Sequence, residues 1–171
     1  ALDVARILTT DPDDLARTDI SSAALTALRD SSVREVVIAA RRGPAASAFT
    51  LPELIGLTAT ATVVLDAVDR ERVRRDLEVV DDAATRAKLE ILAKLADSAE
   101  PSPRPRIRLA YLLTPHRVRG ADRVQGIEFR RTGTGEPVYL DTGMVLTSIG
   151  YRGKPVPGLP FDDDANVVPN T

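Results

Sequence analysis

The residues from Val33 to Glu53 constrain the fold more strongly than any other part of the chain. An apolar run over 36–40 predicts a buried β-strand, and it ends at two adjacent arginines, Arg41 and Arg42. A Gly-Pro pair at 43–44 then predicts a tight turn. Ligands of open α/β sheets bind at the carboxyl ends of the strands, and guanidinium forks match the oxygen geometry of phosphate. The stretch therefore predicts an α/β fold with a phosphate site at the two arginines.

The place of the arginine pair suggests which phosphate it binds. In a dinucleotide-binding fold, the adenosine ribose lies at the end of the second strand. An acidic residue there accepts the 2′-hydroxyl of NAD, whereas arginine accommodates the 2′-phosphate of NADP. We therefore interpret Arg41 and Arg42 as residues that select NADP. The alternative is that they are ordinary solvated surface charge, because a motif without its structural context is only a hypothesis.

Composition excludes several classes of function. The chain has 171 residues, 43% of them hydrophobic, which is enough for one domain with a substantial core. Its net charge of -2 provides no basic field for nucleic acid. Cysteine is absent, which excludes disulfides, thiolate metal sites and cysteine nucleophiles. No apolar run approaches the ~20 residues of a membrane span, and no basic leader is visible, so we expect a soluble, cytoplasmic protein with no membrane partner.

Periodicity predicts helices in the first half of the chain. Four helices are predicted from helical spacing or from a capping residue in front of the segment. They cover 1–8, a segment that is capped by Ser21 or Ser22 and ends at Leu28, 69–77 and 81–96. Thr50 and Glu53 form a capping-box pattern at the start of one further helix. Glu53 therefore has a structural explanation, which is compatible with a contact to a ligand. The alternation of helix and strand is typical of a parallel α/β unit.

Strands are predicted at one further place in the first half of the chain and at several places in the second half. A short buried strand is predicted at 61–65, and after a proline-rich break at 98–105 the period changes to two. The segments that we predict as antiparallel strands are 107–113, 117–119, 124–131 and 138–140. The segment 144–149 is apolar on both faces, which predicts a strand in the centre of a sheet.

Two polar motifs offer little chemistry. His116 is the single histidine, and without cysteine or a second histidine it makes a poor metal site and a poor catalytic candidate. Three consecutive aspartates at 162–164 lack the alternating spacing of a calcium loop, so we expect a solvated turn. The sequence thus predicts no catalytic residue and no metal site.

A group of arginines in the second half could form a docking surface. Arg104, Arg106 and Arg108 alternate along one predicted strand, with Arg117 or Arg119 nearby. One interpretation is a surface for an acidic partner. The interpretation we prefer is the solvent-facing side of a sheet.

Three stretches together resemble a known family. They are ALDVARIL at 1–8, VREVVIAARRGP with AFTLPEL over 33–54, and SIGYRGKPVPGLPFDDDANVVPN at 148–170. In this order they closely resemble the NADP-binding domain of adrenodoxin-reductase-type ferredoxin–NADP reductases, over nearly the whole chain. The resemblance implies a Rossmann-like NADP-binding domain of the two-dinucleotide-binding flavoprotein type, with an antiparallel β-meander. In that family the domain is inserted in a flavin domain, and FAD passes electrons from NADPH to a ferredoxin.

The resemblance also implies roles for individual residues. Arg41 and Arg42 match the arginines that bind the 2′-phosphate in the family. Glu53 matches a glutamate placed by the cofactor. Ala1 matches the last small residue of the Gly-rich phosphate loop, so the glycines and the first strand would lie upstream of residue 1. The implied cofactors are NADP(H) in this part and FAD in the part that is absent here.

The resemblance extends to the end of the chain, but one short segment departs from the family pattern. Gly150 and Tyr151 match the corner that leads back to the flavin domain, so 151–171 is expected to be that connection. Family members usually carry arginine and glutamate where this chain has Ile55 and Gly56. These two departures imply that proton handling and part of the ferredoxin-docking charge differ from the family pattern.

Residues 1–171 are thus expected to be a partial NADP-binding domain that is inactive alone. Backbone amides of the Gly-rich turn normally hold the pyrophosphate. A charge-assisted hydrogen bond contributes on the order of 1.5–3 kcal/mol, against an association cost of at least ~4 kcal/mol, so we expect weak NADPH binding. A missing first strand would leave a gap that neighbouring strands close or that another chain fills, as strand exchange or an oligomer.

Two other functions stay open from the sequence. One is a domain of another NADPH-dependent two-domain flavoprotein, similar to the small subunit of glutamate synthase, with a different electron acceptor. The other is a non-catalytic interaction domain that uses the arginine surface over 104–119.

Overall fold

The computed structural model describes residues 1–102, 104–150 and 153–169. The helices of these residues are α1 (Leu2–Thr9), α2 (Pro12–Leu15), α3 (Ser22–Arg29), α4 (Leu51–Thr60), α5 (Ala67–Val79) and α6 (Ala83–Leu92). Their strands are β1 (Glu35–Ala39), β2 (Thr62–Leu65), β3 (Ala96–Asp97), β4 (Arg106–Ala110), β5 (Leu113–Arg119), β6 (Gly126–Arg131) and β7 (Pro137–Asp141). A short 3₁₀ helix covers Pro44–Ala46. The α/β class predicted from the sequence is confirmed.

The first sheet is parallel and has the order β1-β4-β2-β3. Its central strand, β4, pairs with β1 through Val37 opposite Arg108, and with β2 through Val64 opposite Arg108. Because β1 forms one end of this order, the other edge of β1 has no neighbouring strand among the described residues. The carboxyl ends of β1, β2 and β4 lie side by side, which is where an open α/β sheet binds its ligands.

The main core lies between this sheet and four helices. Leu54, Val73 and Leu89 come from α4, α5 and α6 and are fully buried against Ile107 of β4. Ala5 of α1 belongs to the same cluster. Burying each large aliphatic side chain contributes roughly 1.5–3 kcal/mol, so this layer holds the sheet and its ends in place.

A second sheet packs against the end of β4 and against Val37 of β1, on the side of the parallel sheet that faces away from the main core. It contains β5, β6 and β7 in that order, each antiparallel to the next. Leu113, Ile127 and Phe129 form a smaller core with Ala110 of β4, and Val37 of β1 packs against it. Alternate residues of β1 and β4 therefore face different cores, as the two-residue period of a strand requires.

The caps predicted for the helices are confirmed. The Ser21 hydroxyl accepts a hydrogen bond from the N–H of Ala24 at the start of α3. Thr50 and Glu53 form a complete capping box at the start of α4. These short-range signals worked because a cap needs only residues within one helical turn.

The strand predicted at 107–113 is wrong in its length and its partners. The chain stays in strand only from Arg106 to Ala110, and these residues pair in parallel with β1 and β2. Leu112 then adopts a left-handed conformation with φ of 57°, which turns the chain into the second sheet. Period-two alternation indicates a strand but does not specify the direction of its partners, which explains the error.

The strand predicted at 144–149 is also wrong. These residues belong to no strand of the described part of the chain, and Met144, Leu146 and Ile149 are exposed. The hydroxyl of Thr142 accepts the N–H of Met144 and donates to its carbonyl, which ends β7 in a local turn. An apolar run forms a strand only where a neighbouring strand provides hydrogen-bond partners, and no described strand pairs with 144–149.

Within the part of the chain that the structure describes, the helices are all too short or too polar to cross a membrane.

Candidate functional site

The candidate site begins where β1 leaves the parallel sheet. The N–H of Ala40 donates to the carbonyl of Ala110 at 2.8 Å, and the Ala40 carbonyl accepts from the N–H of Leu113 at 2.9 Å. The last ladder contacts of β1 therefore involve the end of β4 and the start of β5. Arg41 and Arg42 follow directly, at the carboxyl end of the strand, as predicted from the sequence.

The backbone of the arginine pair is fixed by two further contacts. The Thr132 hydroxyl donates to the carbonyl of Arg41 at 2.9 Å. The N–H of Leu112 approaches the carbonyl of Arg42 at 3.4 Å. Thr132 and Leu112 belong to turns at the edge of the second sheet. The backbone of the arginine pair is therefore fixed by tertiary contacts as well as by its neighbours in the chain.

The side chains of Arg41 and Arg42 are exposed. Among the residues that the structure describes, neither guanidinium forms an ion pair or a hydrogen bond. An ion pair for either arginine would have argued against an anion site. Guanidinium groups from two consecutive residues at a strand's carboxyl end can chemically bind a dianion such as a phosphate monoester.

The segment after the arginines is held from the helix side. The N–H of Ala45 donates to a carboxylate oxygen of Asp76 at 2.9 Å. The ammonium group of Lys88 donates to the carbonyls of Ser47 at 3.2 Å and Phe49 at 3.4 Å. Because Asp76 lies on α5 and Lys88 on α6, two helices of the core position the loop between β1 and α4.

Glu53 has the structural role predicted for it. Its Oε2 atom accepts from the N–H of Thr50 at 2.6 Å and from the Thr50 hydroxyl at 2.8 Å. These hydrogen bonds lower the pKa of Glu53, because they favour the charged carboxylate. Its second oxygen, Oε1, takes no part in these two bonds, so a ligand contact is compatible with the capping box. Ile55, at the position of the family departure, is exposed.

Ala1 lies at the start of α1 and is exposed. It is the N-cap of that helix, but no side-chain oxygen satisfies the amides of the first turn. Its carbonyl accepts from the N–H of Ala5 at 3.1 Å. In the described structure no hydrogen bond or ion pair links Ala1 with Arg41, Arg42 or Glu53. The two arginines and Glu53 thus lie on the segment 41–53, and Ala1 lies on a separate helix.

The arginines of β4 are not a free docking surface, and this alternative for Arg106 and Arg108 is wrong. The Nε atoms of Arg106 and Arg108 each lie against one oxygen of Glu35, at 2.9 and 3.0 Å. A second nitrogen of Arg108 lies 2.9 Å from Asp66. Arg104 is exposed and precedes the strand. Acidic side chains on the neighbouring strand β1 and just after β2 neutralise these charges.

Arg117 and Arg119 lie on β5 of the second sheet, apart from the arginines of β4. Arg117 lies 3.5 Å from Glu128, a buried carboxylate that also pairs with Arg130 at 3.1 Å. The guanidinium of Arg119 lies over the ring of Tyr139, 5.5 Å from its centre. The five arginines predicted to share a surface are thus distributed over two sheets and a loop.

Sequence reasoning missed one buried acid near the site. Asp69 is 4% exposed and accepts from the N–H of Tyr111 at 3.1 Å, while Arg72 pairs with its other oxygen. Burial raises the pKa of Asp69, since it outweighs the hydrogen bonds from Arg72 and Tyr111. Burial also raises the pKa of Tyr111 to about 12. The i,i+3 spacing of Asp69 and Arg72 was visible, but only the fold brings Tyr111 to them.

The remaining polar motifs form no described site. The His116 ring lies 4.0 Å from Glu128 and is half exposed. Asp162 accepts the N–H groups of Asp164 and Ala165, an arrangement typical of a solvated turn. Across the described ranges, no three His, Asp or Glu side chains are grouped so that they could hold a metal ion.

Comparison with known proteins gives close relatives. The chain is 64% identical over 170 residues to a probable ferredoxin/ferredoxin–NADP reductase of Mycobacterium leprae, covering 99% of this chain and 31% of that protein. It is 35% identical over 195 residues to the mitochondrial NADPH:adrenodoxin oxidoreductase of Arabidopsis thaliana, covering 99% of this chain and 40% of that protein. No family model matches the chain.

A solved structure supports the same relationship. Mycobacterium tuberculosis FprA in complex with NADPH superposes with a TM-score of 0.83 at 39% identity, covering 99% of this chain and 41% of FprA. The chain therefore spans between about a third and two fifths of the length of the proteins it matches. These findings confirm the resemblance drawn from the sequence. The chain is similar to a segment of proteins named as a ferredoxin–NADP reductase and an NADPH:adrenodoxin oxidoreductase.

Proposed function

We propose that this chain, as a segment of an adrenodoxin-reductase-type ferredoxin–NADP reductase, is the NADP(H)-binding part of that enzyme. The complete protein would be an FAD-containing oxidoreductase that transfers electrons from NADPH to a ferredoxin-type protein. Support comes from relatives named as such reductases and from a superposing structure that was solved with NADPH. FAD would be bound by the part of the protein outside this segment, and 151–171 would connect to that part.

The observation that carries the proposal is a pair of arginines whose side chains have no partner among the described residues. Arg41 and Arg42 are exposed at the carboxyl end of β1, on a backbone that Thr132 and Leu112 hold. They fit the 2′-phosphate of NADP(H), which the NAD ribose lacks. When bound, the nicotinamide supplies a hydride to the flavin, and the contribution of these residues is to bind and orient the nucleotide.

We propose supporting roles for two other residues. Glu53 would approach the cofactor with the oxygen that its capping box leaves unused. Ala1 would follow the Gly-rich loop at the start of α1, where the positive end of a helix favours the pyrophosphate. The N-cap of α1 lacks a side-chain acceptor, which is consistent with amides that a ligand would satisfy.

The finer features of the fold belong to the same proposal. A first strand that precedes α1 in the complete protein would pair with the free edge of β1, and the Gly-rich loop would join that strand to α1. The second sheet would be the antiparallel meander of the flavoprotein domain. In an isolated segment, a strand from a second copy could occupy the same edge. The cytoplasmic location stays a prediction from the sequence.

The test is a double substitution, Arg41→Ala with Arg42→Ala, in the complete reductase. Two lost charge-assisted contacts of about 1.5–3 kcal/mol each should raise the KM for NADPH at least about 100-fold. The KM for NADH should change little, because NADH has no 2′-phosphate. Steady-state kinetics with ferricyanide as acceptor measures both constants.

A matched control removes the same charge elsewhere. Arg74 and Arg75 lie on α5, pair with Glu71 and are exposed. Arg74→Ala with Arg75→Ala should leave both constants near those of the parent enzyme. If the variant at 41 and 42 raised both constants equally, the arginines would have no role in selecting NADP.

A further inference from the structure

We infer that Thr132 is a positioning residue for nucleotide selection, acting through the backbone of Arg41. This inference rests on the proposed function of the arginine pair and extends it to a residue 91 positions away in the sequence. Thr132 lies in the turn between β6 and β7, in the second sheet. It carries no charge and would itself not touch the phosphate.

The first step is the direction of the hydrogen bonds around Thr132. Its hydroxyl has one proton, which it donates to the carbonyl of Arg41 at 2.9 Å. The same oxygen lies 3.0 Å from the hydroxyl of Thr114. Because the Thr132 proton is already used, Thr114 must be the donor in that contact. The result is a chain of two hydroxyl groups that runs from β5 through the turn to the arginine backbone.

The second step is how firmly Thr132 is itself held. Its N–H donates to the carbonyl of Leu112 at 2.8 Å. Leu112 is the left-handed residue between β4 and β5, and its own N–H approaches the carbonyl of Arg42 at 3.4 Å. The corner at Leu112 and the turn at Thr132 therefore contact each other, and each contacts one arginine carbonyl. The two arginine backbones are linked as one unit.

The third step is the consequence for binding. Arg41 and Arg42 are exposed and have no described side-chain partner, so only their backbone limits where the guanidinium groups can reach. A flexible turn would have to be ordered when the nucleotide binds, and this cost reduces affinity. The Thr132 hydroxyl removes part of that cost in advance. Its effect should appear only with a ligand that carries the 2′-phosphate.

The experiment is Thr132→Val in the complete reductase, a substitution that keeps the shape of the side chain and removes the hydroxyl. A hydrogen bond of typical strength corresponds to about a three- to tenfold change. We expect the KM for NADPH to rise by that factor, with kcat and the KM for NADH unchanged. Thr132→Ser, which keeps the hydroxyl, should restore the parent value.

Two comparisons separate positioning from a general structural effect. Thr134 lies in the same turn, but its hydroxyl contacts Glu136 and not the arginines. Thr134→Val should therefore leave the KM for NADPH unchanged. In an enzyme that already carries Arg41→Ala and Arg42→Ala, Thr132→Val should add no further loss, because residues that act through one another are not additive.

The outcomes are distinguishable from failure of the proposed function. If the double arginine variant raises the KM for NADPH selectively, while Thr132→Val has the same KM for NADPH as the parent, this inference is wrong and the proposed function stands. The inference also fails if Thr132→Val raises the KM for NADH equally, or if its effect persists without the arginines. If the double arginine variant shows no selective loss, the proposed function itself fails, and this inference with it.

Discussion

Two pairs of arginines, one within β4 and one just after β1, have opposite surroundings. Arg106 and Arg108 lie within β4, where Glu35 and Asp66 neutralise them at 2.9–3.0 Å and leave their side chains about one fifth exposed. Arg41 and Arg42 follow the end of β1 and are exposed, without a described ion-pair partner. The first pair is part of the structure of the sheet, whereas the second is available for a ligand.

The difference comes from the position of acids in space rather than in sequence. Glu35 is 71 residues from Arg106 in the chain, but it lies opposite that residue in the register of the two strands. An exposed surface ion pair contributes little, whereas a partly buried pair is costly to break from one side. The two pairs should therefore respond to substitution in different measurements, the first in stability and the second in nucleotide selectivity.

The largest expected effect on stability comes from Glu35→Gln. This change leaves two partly buried guanidinium groups without their shared carboxylate and should cost about 2–3 kcal/mol, somewhat below the value for fully buried pairs. In the complete reductase this should lower the unfolding temperature of the nucleotide-binding part by about 5–10 °C, measured by calorimetry. The NADPH to NADH selectivity of the folded enzyme should not change.

Glu78→Gln is the matched control for that prediction, because Glu78 is exposed on α5. Its effect should lie within about 0.5 kcal/mol. An equal loss of stability in both variants would mean that the network around Glu35 contributes no more than ordinary surface charge.

A smaller effect is expected from Arg41→Lys with Arg42→Lys. Lysine keeps the charge but loses the planar fork that suits phosphate. The KM for NADPH should rise about tenfold, less than with alanine, and the unfolding temperature should stay near that of the parent. Steady-state kinetics and calorimetry on the same preparation check both parts. An enzyme that is indistinguishable from the parent in both would mean that charge alone is sufficient.

The smallest effect is a pH dependence at Glu53, beside the site. Its pKa is lowered in the folded protein from an ordinary value of 4.5, because Thr50 donates to its carboxylate. A lowered pKa gives stability that is present above that ordinary value and is lost as the pH falls through the folded pKa. Glu53→Gln should therefore be slightly less stable than the parent at about pH 6, and the difference should vanish in acid.

Thermal unfolding of the parent, Glu53→Gln and Glu78→Gln, measured at about pH 6 and again in acid, tests this prediction. Glu78→Gln should track the parent throughout. A stability difference between the parent and Glu53→Gln that grows in acid would contradict a lowered pKa for Glu53 in the folded protein.

Local signals predicted much of the first half of the chain. The start of α4 and the cap at Ser21 were correct because each depends on residues within a single turn. The strand predicted before Arg41 was correct because a short apolar run followed by charged and turn residues is a strong signal. For the same reason, the two arginines could be identified as a candidate site without coordinates.

Long-range partners limited the prediction of the second half. Residues 107–113 alternate as a strand does, but only the fold shows that Arg106 to Ala110 run parallel between β1 and β2. Residues 144–149 have strand-like composition and no partner among the described residues. The buried acid Asp69 was missed because the amide it accepts, that of Tyr111, is 42 residues away.

The sequence by itself determined that two guanidinium groups follow a buried strand and precede a capped helix, because strand, turn and cap signals are local. Only the tertiary structure decided which arginines are free, since neutralising acids come from other strands through the register of the sheet. It also decided that Thr132 and Leu112 fix the arginine backbone. The physical reason is that charge pairing and hydrogen bonding depend on distance in space, which strand pairing sets and a linear pattern does not contain.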